Sequence, residues 1–171
     1  MIEQLKRELE ATFKGVSVTS EADRRITVVV DPLQALALLR FFKDRGFSHL
    51  ALLSAVDLID KHAFELVYVL TSYAEDTGED AVPGELILVV KSMIPRDKPT
   101  FKSVISIYPN AEPYEREIHE LFGIHFDGHP RLTPLFLERQ YPIPPFRKDF
   151  DTRRYVEDVF GSIPAIGDEE G

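Results

Sequence analysis

Five prolines between Ile124 and Phe150 (Pro130, Pro134, Pro142, Pro144 and Pro145) limit the fold of this chain more than any other feature. Proline lacks a donor N–H and fixes its own φ, so helix interiors and central strands are closed to it. The segment therefore reads as an extended arm. It also carries Leu132, Leu135, Phe136, Leu137, Tyr141, Ile143 and Phe146, and apolar side chains on an extended arm need a surface, either the chain's own core or a groove on a partner. Compact domains seldom hold so long a segment without helix or strand, which favours the partner.

A charged helix leads into the arm. Asn110 is placed as its cap, Glu112 and Pro113 fall in its first turn, and Gly123 stops it. Tyr114, Ile118, Leu121 and Phe122 share a face and are expected to be buried, leaving Glu115, Arg116, Glu117 and Glu120 on the surface. Arg116 and Glu120 are spaced for an i,i+4 ion pair.

Upstream, the pattern predicts a helix over 2–14, with Ile2, Leu5, Leu9 and Phe13 inward and Gly15 ending it. Strands follow at 16–19 and 25–30. Asp31-Pro32 then opens a helix to about Arg45, with Leu33, Leu36, Leu39 and Phe42 inward. Further strands are expected at 49–56, 64–73, 85–94 and 104–108, with 74–84 an acidic hairpin loop. A short helix is expected over 152–160, and a frayed acidic end after it. This order predicts an α+β fold: a mostly antiparallel sheet with helices on one face, plus a long proline-rich C-terminal arm. Residues 1–123 form the α+β domain, and 124–171 the arm and tail that packs on a partner subunit.

Charge and composition exclude several functions. With 20 basic and 29 acidic residues the chain is net −9, which disfavours nucleic acid and anionic lipid. It has no cysteine, so it forms no disulfide and ligates no conventional iron–sulfur cluster. Met1-Ile2-Glu3-Gln4 runs straight into the first helix, and no apolar run approaches the roughly 20 residues of a membrane span, so a soluble cytoplasmic chain without a signal peptide is expected. His119, His125 and His129 lack metal-ligand spacing and are assigned structural or interfacial roles. Glu117 and His119, two apart on a helix, face different ways, which is a poor basis for acid–base catalysis. Asp57 and Asp60 near a strand end are no better supported. No catalytic, metal or cofactor-binding residue is assigned.

Glu115-Arg116-Glu117, Leu121-Phe122-Gly123-Ile124 and Phe126, followed by Gly128-His129-Pro130 with Leu132 and by Arg147-Lys148-Asp149-Phe150, resemble the signature of the 30-kilodalton subunit of respiratory complex I. The equivalent subunit of energy-converting membrane-bound nickel–iron hydrogenases is of the same type. The resemblance spans about residues 104–150. It implies a non-catalytic subunit of the peripheral arm on the cytoplasmic side of the membrane, docked on the large subunit that forms the quinone cavity or holds the nickel–iron site. Glu115, Arg116, Glu117, Phe122, Gly123, His129, Pro130, Arg147, Lys148 and Asp149 then become interface and folding residues. The chain itself would bind no cofactor; iron–sulfur clusters and, in the hydrogenases, the nickel–iron site would lie in sister subunits, with the membrane arm reached through others. The absence of tryptophan before Glu-Arg-Glu, where Glu112-Pro113-Tyr114 stands, and the end Phe150-Asp151-Thr152-Arg153-Arg154 favour a hydrogenase-type complex coupling electron transfer to ion translocation. NADH:quinone oxidoreductase proper is the alternative. Two readings of another class are a stand-alone acid–base enzyme built on the histidines and an adaptor binding peptides along a sheet edge.

Overall fold

The computed structural model describes residues 2–22, 24–72, 86–138 and 141–161. The expected acidic loop and frayed end lie outside the described residues. Helix α1 (Ile2–Thr12) is followed by β1 (Ser17–Ala22), β2 (Arg25–Val29), α2 (Pro32–Asp44) and β3 (His49–Leu58). After one 3-10 turn come β4 (Ala63–Thr71), β5 (Ile87–Pro95) and β6 (Thr100–Lys102), then α3 (Ala111–Phe122), β7 (His125–Asp127) and α4 (Thr152–Phe160). None of the described helices is long and apolar enough to cross a membrane.

Five strands form the main sheet in the order β1-β2-β5-β4-β3. All neighbours are antiparallel except β2 and β5, which run parallel. That pairing follows from α2: the helix carries the chain across one face, so the later hairpin β4–β5 returns beside β2 in the same direction. In β4 alternate residues are buried, and Phe64, Leu66, Tyr68 and Leu70 point inward. The register aligns them with Leu53 and Ala55 of β3 and with Leu88, Val90 and Ile94 of β5. Leu9 and Phe13, four α2 residues and Ile118 of α3 belong to the same hydrophobic cluster. The fold is the expected α+β sandwich, a mainly antiparallel sheet with helices packed on one face.

Three local expectations are corrected. Leu33 is 94% exposed. The buried stripe of α2 is Ala35, Leu38, Leu39 and Phe42, spaced i, i+3, i+4, i+7, and Leu33 lies about 200° away from Ala35 on a 3.6-residue helix. Residues 104–108 are a tight turn, not a strand: the Ile107 and Tyr108 amides both donate to the Val104 carbonyl, at 2.8 Å each. The turn buries Val104, Ile107 and Tyr108 together, and the Tyr108 hydroxyl donates to the Phe47 carbonyl at 2.9 Å. The sixth and seventh strands are β6 and β7, a parallel pair joining Phe101 to Phe126.

Candidate interaction site

Helix α3 organises the site. Asn110 makes no side-chain bond to its own helix; its amide donates instead to the Leu50 carbonyl at 2.8 Å. The Tyr114 hydroxyl donates to Ala51 O at 3.1 Å. Two carbonyls of the edge strand β3 are thereby occupied, and α3 is set alongside that edge. At the other end Gly123 has φ 76°, and its N–H closes on the His119 carbonyl at 2.9 Å. A Cβ there would lie 2.9 Å from Pro144 Cγ, so the position needs glycine for both its backbone and the arm's approach.

Glu115, expected on the surface, is fully buried. Its place on the buried face with Ala111, Ile118 and Leu121 explains why: these residues recur at helical spacing. The Val104 amide donates to Oε1 at 2.7 Å and the Ser103 hydroxyl also donates to the carboxylate, which fastens the 104–108 turn to α3. Burial pushes its carboxyl above the ordinary value, although these two hydrogen bonds and His129 oppose the shift. Among the described residues Oε2 has no hydrogen-bond partner. Tyr68, wholly buried, is pushed well up by burial and by the nearby Glu115 charge.

The next charged residues hold the arm. Arg116 donates from Nε to Thr133 O at 3.0 Å and from Nη2 to Pro134 O at 2.9 Å. Its ion pair is to Glu112, at 3.4 Å, rather than the expected Glu120. Glu120 instead accepts the amides of Leu135, Phe136 and Leu137, at 3.1, 2.9 and 2.6 Å. Burial raises the Glu120 carboxyl, but these amides and Arg116 outweigh it and leave it below the ordinary value. His129 takes an amide hydrogen from Arg131 on Nδ1 at 3.0 Å, so Nε2 carries the proton directed at the Glu112 carbonyl, 3.3 Å away. Pro130 is exposed and Glu117 is half-buried.

A second clamp holds the Arg147-Lys148-Asp149 segment. Asp57, on the inner face of β3 and almost wholly buried, accepts from Arg96 Nε and Nη2 at 2.8 and 3.0 Å. It also accepts the Lys148 amide at 2.8 Å. Arg96 Nη2 reaches Asp149 at 2.7 Å, and Arg147 forks onto the same carboxylate with two contacts of 3.1 Å. Both guanidiniums lie beside the Phe64 ring, at 5.7 and 5.8 Å. Phe122 stacks edge-on between Phe64 and Phe146, and the Phe146 amide donates to Leu121 O at 2.9 Å. Hydrogen bonds from Arg147 and then Arg96 hold the Asp149 carboxyl far below the carboxylate range. Asp57 is also lowered, since Arg96 and the Lys148 amide overcome the effect of burial.

The arm therefore lies against its own domain through residues of the sequence signature. Asp57, Arg96 and Glu120 join them in the clamps, although the signature does not include them. Asp57 is the one that pattern could reveal, because it is in phase with inward Leu53 and Ala55 and a carboxylate there requires a cation. His119 Nδ1 donates to Ile124 O at 2.9 Å, and its ring lies 6.3 Å from that of His125. Among the described residues no three metal-ligating side chains gather.

The sheet-and-helix domain thus clasps its own arm through two polar clamps and a stacked aromatic row. The model of the respiratory-chain NADH dehydrogenase 30 Kd subunit matches residues 28–156, and the chain belongs to that family. It is 37% identical to the C subunit of the F(420)H(2) dehydrogenase of Methanosarcina mazei, over 77% of this chain and 78% of the relative. To the C subunit of the NADH-quinone oxidoreductase of Moorella thermoacetica it is 35% identical, over 84% and 91%. Among solved structures, a chain of the membrane-bound sulfane sulfur reductase, an archaeal respiratory membrane complex, superposes with TM-score 0.77 at 28% identity, covering 98% of this chain and 95% of that one. The trypsin-resistant fragment (1-134) of Nqo5 gives TM-score 0.64 at 27% identity over 77% of this chain and all of the fragment. The chain is a complex-I-type subunit.

Proposed function

We propose that this chain is a non-catalytic assembly subunit in the peripheral arm of a complex-I-related membrane oxidoreductase, docked on the large subunit at the cytoplasmic side of the membrane. The superposition over 98% of the chain with a subunit of an archaeal respiratory membrane complex carries this reading, because it includes the arm as well as the domain. Absence of cysteine agrees with it: iron–sulfur clusters belong to sister subunits. The hydrogenase-type branch rests on the missing tryptophan and the residues after Phe150; the F(420)H(2) dehydrogenase and NADH-quinone oxidoreductase relatives support a dehydrogenase branch instead. Affinity purification from native cells in mild detergent, followed by mass spectrometry, tests both levels. Co-purification of a large quinone-site or nickel–iron subunit with cluster-bearing small subunits and membrane subunits supports the proposal, and the identity of the large subunit assigns the branch. A chain recovered alone overturns it.

A further inference from the structure

Three residues sealed in the core, each 0% exposed, keep a polar atom that has no hydrogen-bond partner among the described residues: Tyr68 Oη, Glu115 Oε2 and Ser92 Oγ. Buried polar atoms in native proteins are almost always bonded, to protein or to ordered water, because a bare one forfeits the bonds it made to bulk solvent. Ser92 is the next inward residue of β5 after Val90, the cross-strand partner of Tyr68, so all three belong to the inner side of the sheet or to the helix over it.

Tyr68 and Glu115 come to the same place from opposite layers. Helix α3 runs antiparallel to β4: Asn110 bonds the carbonyl of Leu50, which pairs with Leu70, and at the far end the Phe122 ring lies 6.1 Å from that of Phe64. Seven residues before Phe122 is about 10 Å along a helix, and four residues after Phe64 is about 13 Å along a strand, which sets Glu115 over Tyr68. Strand β6 closes the place. The Tyr68 ring is tilted on Phe101 at 6.3 Å, and three residues further on the Val104 amide donates to Glu115 Oε1 at 2.7 Å. The Glu115 charge is felt at the Tyr68 hydroxyl, yet the two groups make no direct hydrogen bond. A gap too long for a hydrogen bond but within electrostatic reach is one that a water spans.

We infer that one ordered water is bound between Tyr68 Oη and Glu115 Oε2, a structural ligand that ties β4 to α3 and so helps to seat the helix whose Arg116 and Glu120 hold the arm. Water suits both partners in either state of the carboxyl. With Glu115 ionised, the phenol donates to the water and the water donates to Oε2; with Glu115 protonated, the carboxyl donates to the water and the water donates to the phenol oxygen. A bridging molecule that can reverse its bonds in this way keeps the buried acid satisfied across its titration.

Two measurements on the full chain test this. The first is a crystal structure at a resolution that shows buried waters. Density for one water within about 2.6–3.2 Å of both Tyr68 Oη and Glu115 Oε2 is expected. A dry contact, a direct Tyr68–Glu115 hydrogen bond, or a water bonded to only one of the two overturns the inference. The second is the melting temperature of Tyr68→Phe, which keeps the ring and deletes the hydroxyl. Where a water ties that hydroxyl to Glu115, the deletion strips the water of a partner, and a fall of about 2–4 °C is expected. Where the hydroxyl stands unpaired in a dry core, the deletion removes only the cost of having buried it. An unchanged or raised melting temperature therefore also overturns the inference.

Discussion

Replacing Asp57 with Asn breaks the deeper clamp at its centre. The carboxylate takes three hydrogen bonds, two from Arg96 and one from the Lys148 amide. Asparagine keeps one acceptor oxygen but turns an NH2 group toward the Arg96 donors. Removing one member of a buried ion pair costs about 3–5 kcal/mol when the other is left unpaired. Arg96 retains Asp149, so the lower end, about 3 kcal/mol, is expected here. A chain of this size loses about 2–4 °C per kcal/mol, which predicts a fall in melting temperature of about 6–12 °C. Limited trypsin digestion supplies the second readout, because cleavage sites at Arg147 and Lys148 lie inside the clamp and should open early in the variant. Acid titration supplies a third. The folded-state carboxyls of Asp57 and Asp149 sit below their unfolded values, so their stabilisation is complete above the unfolded carboxylate value of about 3.9 and fades as pH falls through the folded one. The variant should therefore show a shallower loss of stability below about pH 4. A melting temperature within about 2 °C of the unaltered chain, with digestion unchanged, would refute the view that this cluster holds the arm.

Gly123→Val combines a positive φ with a side chain directed at Pro144, and is expected to cost at least about 2 kcal/mol and to speed digestion of the arm; unchanged digestion would show that the arm tolerates the shift. Glu120→Gln weakens the acceptor shared by three arm amides and should cost about 1–2 kcal/mol at pH 7, a half-buried site making the loss modest. Because the folded Glu120 carboxyl is lowered, that difference should shrink as pH drops below about 4, and a constant difference across pH would count against the charge being involved. Glu115→Gln has the opposite sign. Burial raises the Glu115 carboxyl, so ionisation opposes folding increasingly as pH rises above the unfolded value of about 4.3, and the neutral variant should gain melting temperature at pH 8 relative to pH 4. A loss that grows with pH would show that the charged form is the one the fold accommodates.

The sandwich is legible in the sequence because its signals are local. The nearly continuous apolar run Phe64–Leu70, the 3.6-residue stripe of α1 and the glycine stop at Gly123 each follow from one element's geometry. Expectation and structure part where two elements decide together. Glu115 has the composition of a surface residue and the phase of a core residue; its burial depends on the 104–108 turn offering an amide, and that turn resembles a strand in sequence because Val104, Ile105 and Ile107 are β-branched. Arg116 prefers two arm carbonyls 17 and 18 residues away to a helical neighbour. Such pairings leave no local pattern.

The arm shows why composition alone leaves its resting place open. Prolines and spaced apolar residues would look the same whether the arm wrapped a partner or its own domain. The difference lies in what meets the backbone. An arm awaiting a partner leaves its amides and carbonyls to water, whereas here Glu120 and Asp57 take amides at 135–137 and 148, and Arg116 fills the carbonyls at 133 and 134. At the positions where the backbone is engaged, the entropy normally charged to folding on binding is reduced in any docking step. Charged residues in the signature thus need not touch another subunit to matter for assembly: by fixing the arm they determine which side chains remain outside it.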